Sequence, residues 1–245
     1  MSELSNRIKQ AARIITDLKP VIALTGAGVS VESGIPDFRG KNGLWSKYDP
    51  ARYATIDAFL ADPAEVWKML REMDDLVFNA RPNPAHTGLG VLEQKGLLQY
   101  IITQNIDNLH QDGGVKNVIE YHGNSSTLSC LSCNNRYTMA EKRQEYLPTC
   151  ECGQILKPDV IFFGEGIPEE ALNMSFQLAS KARVLLIIGT SAQVSPANTI
   201  PALASRNNAK IIEINIEKTW LTDQLTDIFL EGDAGEIITR LVEAI

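Results

Sequence analysis

The chain has 245 residues, of which 44% are hydrophobic and 22% are charged, and this composition is typical of a globular protein with a substantial core. The formal net charge of −7 argues against general binding to DNA or anionic membranes, but leaves a basic peptide partner open. No apolar run reaches the length of a membrane span, and the N-terminal residues lack the apolar core of a secretory signal. We therefore expect a cytoplasmic protein.

The first predicted elements are a helix over residues 3–18 and a short buried strand over residues 21–25. The strand runs into Gly26, Ala27 and Gly28, where two glycines let the backbone turn sharply and approach a ligand. A helix that begins soon afterwards would direct its free N–H groups toward a diphosphate. The alternative is an ordinary tight turn between a strand and a helix.

This glycine turn departs from the fingerprint of dinucleotide-binding enzymes that transfer hydride. Their motif needs a third glycine three residues after the second, and the chain has Val31 there. The next glycine, Gly34, opens a segment that suits a loop, because Pro36 disfavours helix at Ile35. Beside a phosphate site, this loop could close over the far half of a cofactor with Asp37, Phe38 and Arg39.

Two helices and a second strand follow. Asp62 and Pro63 predict the start of a helix that runs to about Val77, and another helix begins near Pro84. A strand over residues 98–103 then leads into Gln104, Asn105, Ile106 and Asp107. Polar groups at the carboxyl end of such a strand lie over the ligand crevice of an open α/β sheet. Asn105 and Asp107 would point the same way in an extended segment, although Asp107 could instead cap the following helix.

His122 is the candidate general base among three histidines. His122 ends a short predicted strand that begins at Val118, and Gly123 follows it. A ligand crevice would lie at this end of the strand. We assign His86 to a helix start and His110 to a helix, where a structural role suffices. A structural role for His122 is the alternative.

Four cysteines fall in two close pairs, and in a cytosolic chain this pattern favours a zinc site over disulfides. No His, Asp or Glu completes a site with an open position, so we expect one closed, structural Zn²⁺ site. The second pair has one intervening residue where two are usual, which weakens the expected geometry. The ligands are Cys130, Cys133, Cys150 and Cys152.

The remaining strands are predicted at residues 160–165, 184–188 and 210–214, with helices over 168–181 and 234–245. Strands that alternate with helices predict an α/β fold with a doubly wound, Rossmann-like parallel sheet. We expect one domain over residues 1–245, with a large part at about 1–40, 80–125 and 157–245. A smaller part would combine a helical insertion at about 41–79 with the zinc-binding insertion at about 126–156.

Taken together, these motifs resemble those of sirtuins, the NAD-dependent protein lysine deacylases. The resemblance spans nearly the whole chain and depends on motifs in the family order: GAGVSVESGIPDFRG at 26–40, TQNID at 103–107, His122-Gly123, two cysteine pairs, FFGE at 162–165, Gly189-Thr190-Ser191 and Asn215. Sirtuins break the bond between nicotinamide and ribose and transfer no hydride, which is consistent with Val31.

The resemblance implies that NAD is consumed as a co-substrate. The acyl oxygen would attack the anomeric carbon as nicotinamide leaves, and His122 would take a proton from a ribose hydroxyl, with Asn105 as the second catalytic residue. The products would be O-acyl-ADP-ribose and free lysine. The residues implied to contact NAD are Gly26, Ala27, Gly28, Ile35, Asp37, Phe38, Arg39, Gln104, Asn105, Ile106, Asp107, Gly189, Thr190, Ser191, Asn215, Glu217 and Ala234.

The resemblance also implies a site for acyl-lysine, with the peptide bound as a strand between the two parts of the chain. The residues assigned to it are Phe38, His122, Ile161, Phe163, Gly164 and Val194. Sirtuins that prefer succinyl or malonyl lysine carry a Tyr and an Arg at positions that align with Leu70 and Met73. An apolar pocket cannot offset the cost of burying a carboxylate, so we expect acetyl or longer apolar acyl groups as substrates.

Three other functions remain open from the sequence: transfer of ADP-ribose to a protein, a non-catalytic NAD or zinc-ribbon module, and a dehydrogenase. His122 together with Asn105 and Asp107 argues against a module that only binds, because binding needs no base. Val31 argues against a dehydrogenase. We expect a monomer whose partners are acetylated proteins or peptides, with no binding to nucleic acid or membrane.

Overall fold

The computed structural model describes residues 3–40 and 43–245. The first two residues of the predicted large part and the first two of the helical insertion, at 41–42, lie outside the described residues. No helix within the described ranges is long and apolar enough to cross a bilayer. The strands in chain order are β1 (Val21–Thr25), β2 (Leu98–Thr103), β3 (Val118–Glu120), β4 (Gly123–Ser129), β5 (Arg136–Thr138), β6 (Lys157–Val160), β7 (Val184–Ile188), β8 (Lys210–Asn215) and β9 (Ile228–Glu231).

The larger sheet has six parallel strands in the order β3-β2-β1-β7-β8-β9. The chain leaves β1 toward one edge and returns at β7 to build the other edge, so the strand order reverses between these two neighbours. In open α/β sheets, ligands bind at the carboxyl ends of the strands beside such a reversal. The predicted Rossmann-like sheet is therefore confirmed, and its crevice lies where β1 and β7 end.

Helices cover both faces of this sheet, which explains why β1 and β7 are buried along their whole length. One layer packs the helices over Glu3–Asp17, Pro84–Gln94 and Ala234–Ala244 against the sheet, and the other packs those over Glu169–Lys181 and Thr199–Arg206. The helices in chain order are α1 (Glu3–Asp17), α2 (Pro50–Tyr53), α3 (Ile56–Ala61), α4 (Pro63–Asn79), α5 (Pro84–Gln94), α6 (Leu109–Asp112), α7 (Met139–Lys142), α8 (Glu169–Lys181), α9 (Thr199–Arg206), α10 (Trp220–Gln224) and α11 (Ala234–Ala244).

A third hydrophobic cluster joins the helical stretch to the cysteine-rich stretch. It contains Phe59, Trp67 and Leu70 from α3 and α4, together with Leu128 from the small antiparallel sheet β5-β4-β6 and Leu156, which precedes β6. The indole Nε1 of Trp67 donates a hydrogen bond of 2.9 Å to the Leu156 carbonyl. We propose that the two insertions form one smaller unit, because they share this core.

One expectation about local structure is wrong, and one expected helix is of the 3₁₀ type. Residues 161–165 form a loop instead of the predicted strand, and the strand before them, β6, ends at Val160 and pairs with β4 in the small sheet instead of joining the parallel sheet. The helix expected after the glycine turn is a 3₁₀ helix over Ala27–Ser33. The structure also adds β4, β5 and β9, and the helices α9 and α10, none of which the sequence patterns indicated.

Candidate active site

A cavity of about 760 Å³ opens at the carboxyl ends of β1 and β7. It brings together twenty of the predicted NAD and acyl-lysine residues, which are separated by as many as 208 positions in the chain, from 26 to 234. These residues are Gly26, Ala27, Gly28, Asp37, Phe38, Arg39, Gln104, Asn105, Ile106, His122, Ile161, Phe163, Gly164, Gly189, Thr190, Ser191, Val194, Asn215, Glu217 and Ala234. The other two, Ile35 and Asp107, line a smaller cavity of about 30 Å³ that shares Phe38 and Asn105 with the first.

The two glycines of the turn after β1 are required by their close packing against the turn after β7. A Cβ on Gly28 would lie 2.7 Å from Gly189 Cα, and one on Gly26 would lie 2.7 Å from Thr190 Cβ. The Gly28 N–H donates a hydrogen bond of 2.8 Å to the Gly189 carbonyl. The turn after β1 therefore packs against the turn after β7, and the closeness of these two turns forms the floor of the cavity.

The expected row of free N–H groups at a helix start is only partly present. The Gly28 amide is bound to Gly189, and the Val29 amide donates to the Gly26 carbonyl at 3.0 Å. A 3₁₀ helix over Ala27–Ser33 is also short, so its dipole is weaker than that of a long α-helix. Recognition of a diphosphate here would therefore depend on fewer backbone donors than the sequence suggested.

Thr190 connects three loops at the floor of the cavity. Its Oγ1 accepts hydrogen bonds from Gln104 Nε2 at 3.1 Å and from the Ala192 amide at 3.1 Å. Its carbonyl accepts a hydrogen bond from Asn215 Nδ2 at 3.3 Å. The polar residues that follow β2, β7 and β8 are thereby fixed relative to one another.

Asn105 and Asp107 meet at one hydroxyl, that of Ser30. The Ser30 Oγ donates to Asp107 Oδ2 at 2.7 Å and accepts from Asn105 Nδ2 at 3.1 Å. The other oxygen of Asp107 accepts from the Leu109 amide at 3.0 Å, so the carboxylate also caps α6. Burial raises the pKa of Asp107, and the hydrogen bonds from Ser30 and Leu109 oppose that rise. The hydrogen bond to Leu109 agrees with the capping interpretation of Asp107, and a contact of this carboxylate with NAD stays a prediction.

Two buried histidines extend this network beneath the cavity. The Asn83 amide donates to His86 Nδ1 at 3.2 Å, which makes Nε2 the protonated nitrogen, and Nε2 lies 3.4 Å from Ser30 Oγ. Burial lowers the pKa of His86 to about 4 and that of His110 to about 3, so both rings are neutral at pH 7. Sequence reasoning missed Ser30 and His86 as parts of the site, because 56 residues separate them and no local motif joins them.

His122 lies on the turn between β3 and β4, so it belongs to the junction of the two sheets. Its Nδ1 lies 3.2 Å from the Gln104 carbonyl, which can only accept a hydrogen bond. Nδ1 is therefore the protonated nitrogen, and the lone pair on Nε2 can accept a proton. Burial lowers the pKa of His122, and the hydrogen bond to Gln104 opposes this in part. The arrangement suits a general base that is neutral at pH 7.

The loop that follows β6 ties this histidine to the small unit. The Ile161 amide donates to the His122 carbonyl at 2.9 Å, and the Phe163 amide donates to the Ala54 carbonyl at 2.8 Å. The Ile56 amide in turn donates to the Phe163 carbonyl at 3.0 Å. Leu70 and Met73 from α4 also line the cavity.

The four cysteine thiols fit a zinc ion. Their sulfurs all lie within 4.8 Å of one another, and the pairs Cys130–Cys152 and Cys133–Cys150 are 3.5 Å apart. Thiolates bound tetrahedrally at about 2.3 Å from one Zn²⁺ would lie about 3.8 Å apart. The short Cys150-x-Cys152 spacing is accommodated by a turn at Gly153, whose φ of 86° is left-handed. None of the four cysteines lines the cavity described above.

The fold and these sites match those of known proteins. Residues 26–196 match the model of the Sir2 family. An NAD-dependent protein deacylase from Pyrococcus abyssi is 43% identical over 245 residues, which cover 97% of this chain and 98% of that protein.

Solved structures agree. A Sir2 homologue in complex with NAD is 42% identical, with a TM-score of 0.89 over 96% of this chain and 92% of the other. A Sir2 mutant with a deacetylated p53 peptide and 3′-O-acetyl ADP-ribose is 35% identical, with a TM-score of 0.91 over 96% and 97% of the two chains. The resemblance inferred from the sequence is confirmed, and the chain belongs to the Sir2 family, the family of these NAD-dependent protein deacylases.

Proposed function

We propose that this chain removes acetyl and other apolar acyl groups from protein lysines, with release of nicotinamide, O-acyl-ADP-ribose and free lysine. The observation that carries the proposal is the position of His122. Its ring lines the cavity that also contains the glycine turn at the strand reversal and the apolar side chains of α4. Its imidazole carries the proton on Nδ1, so Nε2 can accept a proton.

NAD, when bound, supplies the ribose carbon that the acyl oxygen attacks and the nicotinamide that leaves. The turns at Gly26 and Gly189 and the side chain of Asn215 would hold the ADP-ribose part. Asn105 would orient the ribose, because its amide is fixed by Ser30. His122 Nε2 would accept a proton from a ribose hydroxyl. Phe38, which contacts Trp45 at a ring separation of 5.1 Å, would exclude water from this reaction.

The pH dependence of the reaction follows from the burial of His122. Because burial lowers its pKa below the usual 6.5, we expect His122 to be neutral and active at pH 7 and to lose activity only at more acidic pH. On the acid side, kcat/KM should fall about tenfold per pH unit. The measurement is kcat/KM from pH 5 to 8 with a His-free acetyl-lysine peptide. An acid limb centred at or above 6.5 would contradict this assignment of the base.

The acyl side of the cavity predicts selectivity against acidic groups. Leu70 and Met73 offer no donor to a carboxylate, and an unpaired buried carboxylate costs several kcal/mol. Since about 1.4 kcal/mol corresponds to a factor of ten, we expect desuccinylation to be at least about 100-fold slower than deacetylation on one peptide. The measurement is kcat/KM for acetyl, butyryl, octanoyl and succinyl versions of that peptide.

A pair of double variants isolates the cause of this selectivity. Leu70→Tyr with Met73→Arg adds a hydroxyl and a guanidinium and should bring the two rates closer together. Leu70→Phe with Met73→Leu adds no polar group and should leave the ratio high. Succinyl-lysine turned over faster than acetyl-lysine by the wild-type chain would refute the proposed preference. Label from the adenine half of NAD found on protein would instead identify an ADP-ribosyl transferase.

A further inference from the structure

Lys157 is an ammonium group enclosed by the loop that follows β6. Only 7% of its side chain is exposed, although it carries a charge. Its Nζ donates to the carbonyls of Pro158 at 3.2 Å and Val160 at 2.8 Å, and lies 3.0 Å from Glu165 Oε2. Three partners match the three protons of an ammonium group, so the side chain is fully satisfied inside the loop.

The partner carboxylate closes the loop from the other end. Glu165 Oε2, which contacts Lys157, also accepts a hydrogen bond from the Phe162 amide at 2.7 Å. The Lys157 ammonium lies 4.9 Å from the centre of the Phe162 ring, within the range of a cation–π contact. One ion pair therefore fixes both the start and the end of residues 157–165.

This loop bears directly on the candidate active site. Its Ile161 amide bonds the carbonyl of His122, and its Phe163 makes backbone hydrogen bonds to Ala54 and Ile56 in the small unit. Ile161, Phe163, Gly164 and the partner Glu165 line the cavity, whereas Lys157 does not. A change at Lys157 would thus reach the site through the shape of the loop and through the Glu165 carboxylate that it leaves unpaired.

We propose that Lys157 is a positioning residue that presets residues 160–165 to receive acyl-lysine, with Glu165 as its partner. This inference rests on the proposed function. It predicts a specific kinetic effect, because Ile161, Phe163 and Gly164 would contact acyl-lysine while the turns after β1, β7 and β8 would hold the ADP-ribose part. Loss of the ion pair should weaken use of the peptide and leave binding of ADP-ribose intact.

The experiment compares Lys157→Met, Lys157→Arg and Glu165→Gln with a matched control. Lys142→Met removes an equivalent contact pattern in the small unit, since Lys142 Nζ binds Glu145 and the Thr149 carbonyl, both at 2.8 Å, and is 16% exposed. Neither Lys142 nor its partners line the cavity. For each variant we would measure KM for an acetyl-lysine peptide, Kd for ADP-ribose, zinc content, and hydrogen exchange of the Ile161 and Phe163 amides.

We expect Lys157→Met to raise the peptide KM about tenfold and to speed exchange at both amides, with the Kd for ADP-ribose changed less than about twofold. Lys157→Arg keeps the positive charge and should behave nearly like the wild-type chain. Glu165→Gln should show the same defect in weaker form, and Lys142→Met should not show it. A parallel loss of peptide and ADP-ribose affinity, or an equal effect of Lys142→Met, would overturn the inference. If the wild-type chain did not deacylate, the proposed function would fail, and the exchange data alone would still decide whether Lys157 holds the loop.

Discussion

His122→Ala should lower kcat for deacylation by about 10³-fold while leaving the affinity for ADP-ribose nearly unchanged. The physical reason is the tautomer: with the Nδ1 proton facing the Gln104 carbonyl, Nε2 is the ring atom that can accept a proton. Within the described part of the chain the ring makes no hydrogen bond to the turns after β1 and β7, so its removal should not disturb the other end of the cavity. The measurement is single-turnover kinetics together with calorimetric titration of ADP-ribose.

His122→Asn is the matched control for this prediction. Its side-chain amide can still donate to the Gln104 carbonyl, but it cannot act as a base. We therefore expect both variants to be equally slow. If His122→Asn kept more than a tenth of the wild-type kcat, the role of His122 would be to hold the loop of Gln104, and the assignment of a general base would be wrong.

Removal of zinc should unfold the small unit and abolish use of the peptide. Binding of Zn²⁺ to four thiolates contributes about 10 to 16 kcal/mol to the folding of small zinc domains, more than a typical domain has in reserve. Cys130 and Cys150 belong to the same hydrophobic cluster as Leu70 and Phe162, which line the cavity. Loss of the metal should therefore disturb the cavity wall at Leu70 and Phe162, although none of the four cysteines lines the cavity.

The parallel sheet provides the control for zinc removal, because its two packed layers contain no cysteine. After chelation we expect a change in the fluorescence of Trp67, loss of peptide binding, and an affinity for ADP-ribose within about fivefold of that of the zinc-loaded protein. Zinc content is measured on the same samples. An equal loss of affinity for the peptide and for ADP-ribose on chelation would show that the two units fold as one. Unchanged Trp67 emission would show that the metal does not support the core of the small unit.

The large sheet was predictable because its strands carry a strong signal. β1 and β7 are continuous apolar runs bounded by Pro20 or Arg183 and by glycine, as expected for strands buried on both faces. The small sheet carries no such signal. β4 reads GNSSTLS, in which Leu128 alone is buried, so its position depends on pairing with β5 and β6. β6 contains Pro158, and a proline argues against a central strand because it has no N–H to donate.

The site was predictable where its residues sit in local motifs. The glycine turn, residues 104–107, His122 and the cysteines each follow a strand or form a spaced pair, and the resemblance to sirtuins orders them. The contacts between these segments were not predictable. Gly26 and Gly28 are needed by Gly189 and Thr190, more than 160 residues away, as the close approach of the two turns shows. Ser30 likewise joins Asn105 and Asp107 only after folding.

The measurement that tests the account most directly is product analysis by mass spectrometry, with NAD labelled in its adenine half and an acetyl-lysine peptide. The account predicts that the peptide loses its acetyl group, that nicotinamide is released in equal amount, and that the label appears in O-acetyl-ADP-ribose. Omission of NAD should stop all three. Deacetylation without NAD, or label bound to the peptide while its acetyl group remains, would contradict the proposed function.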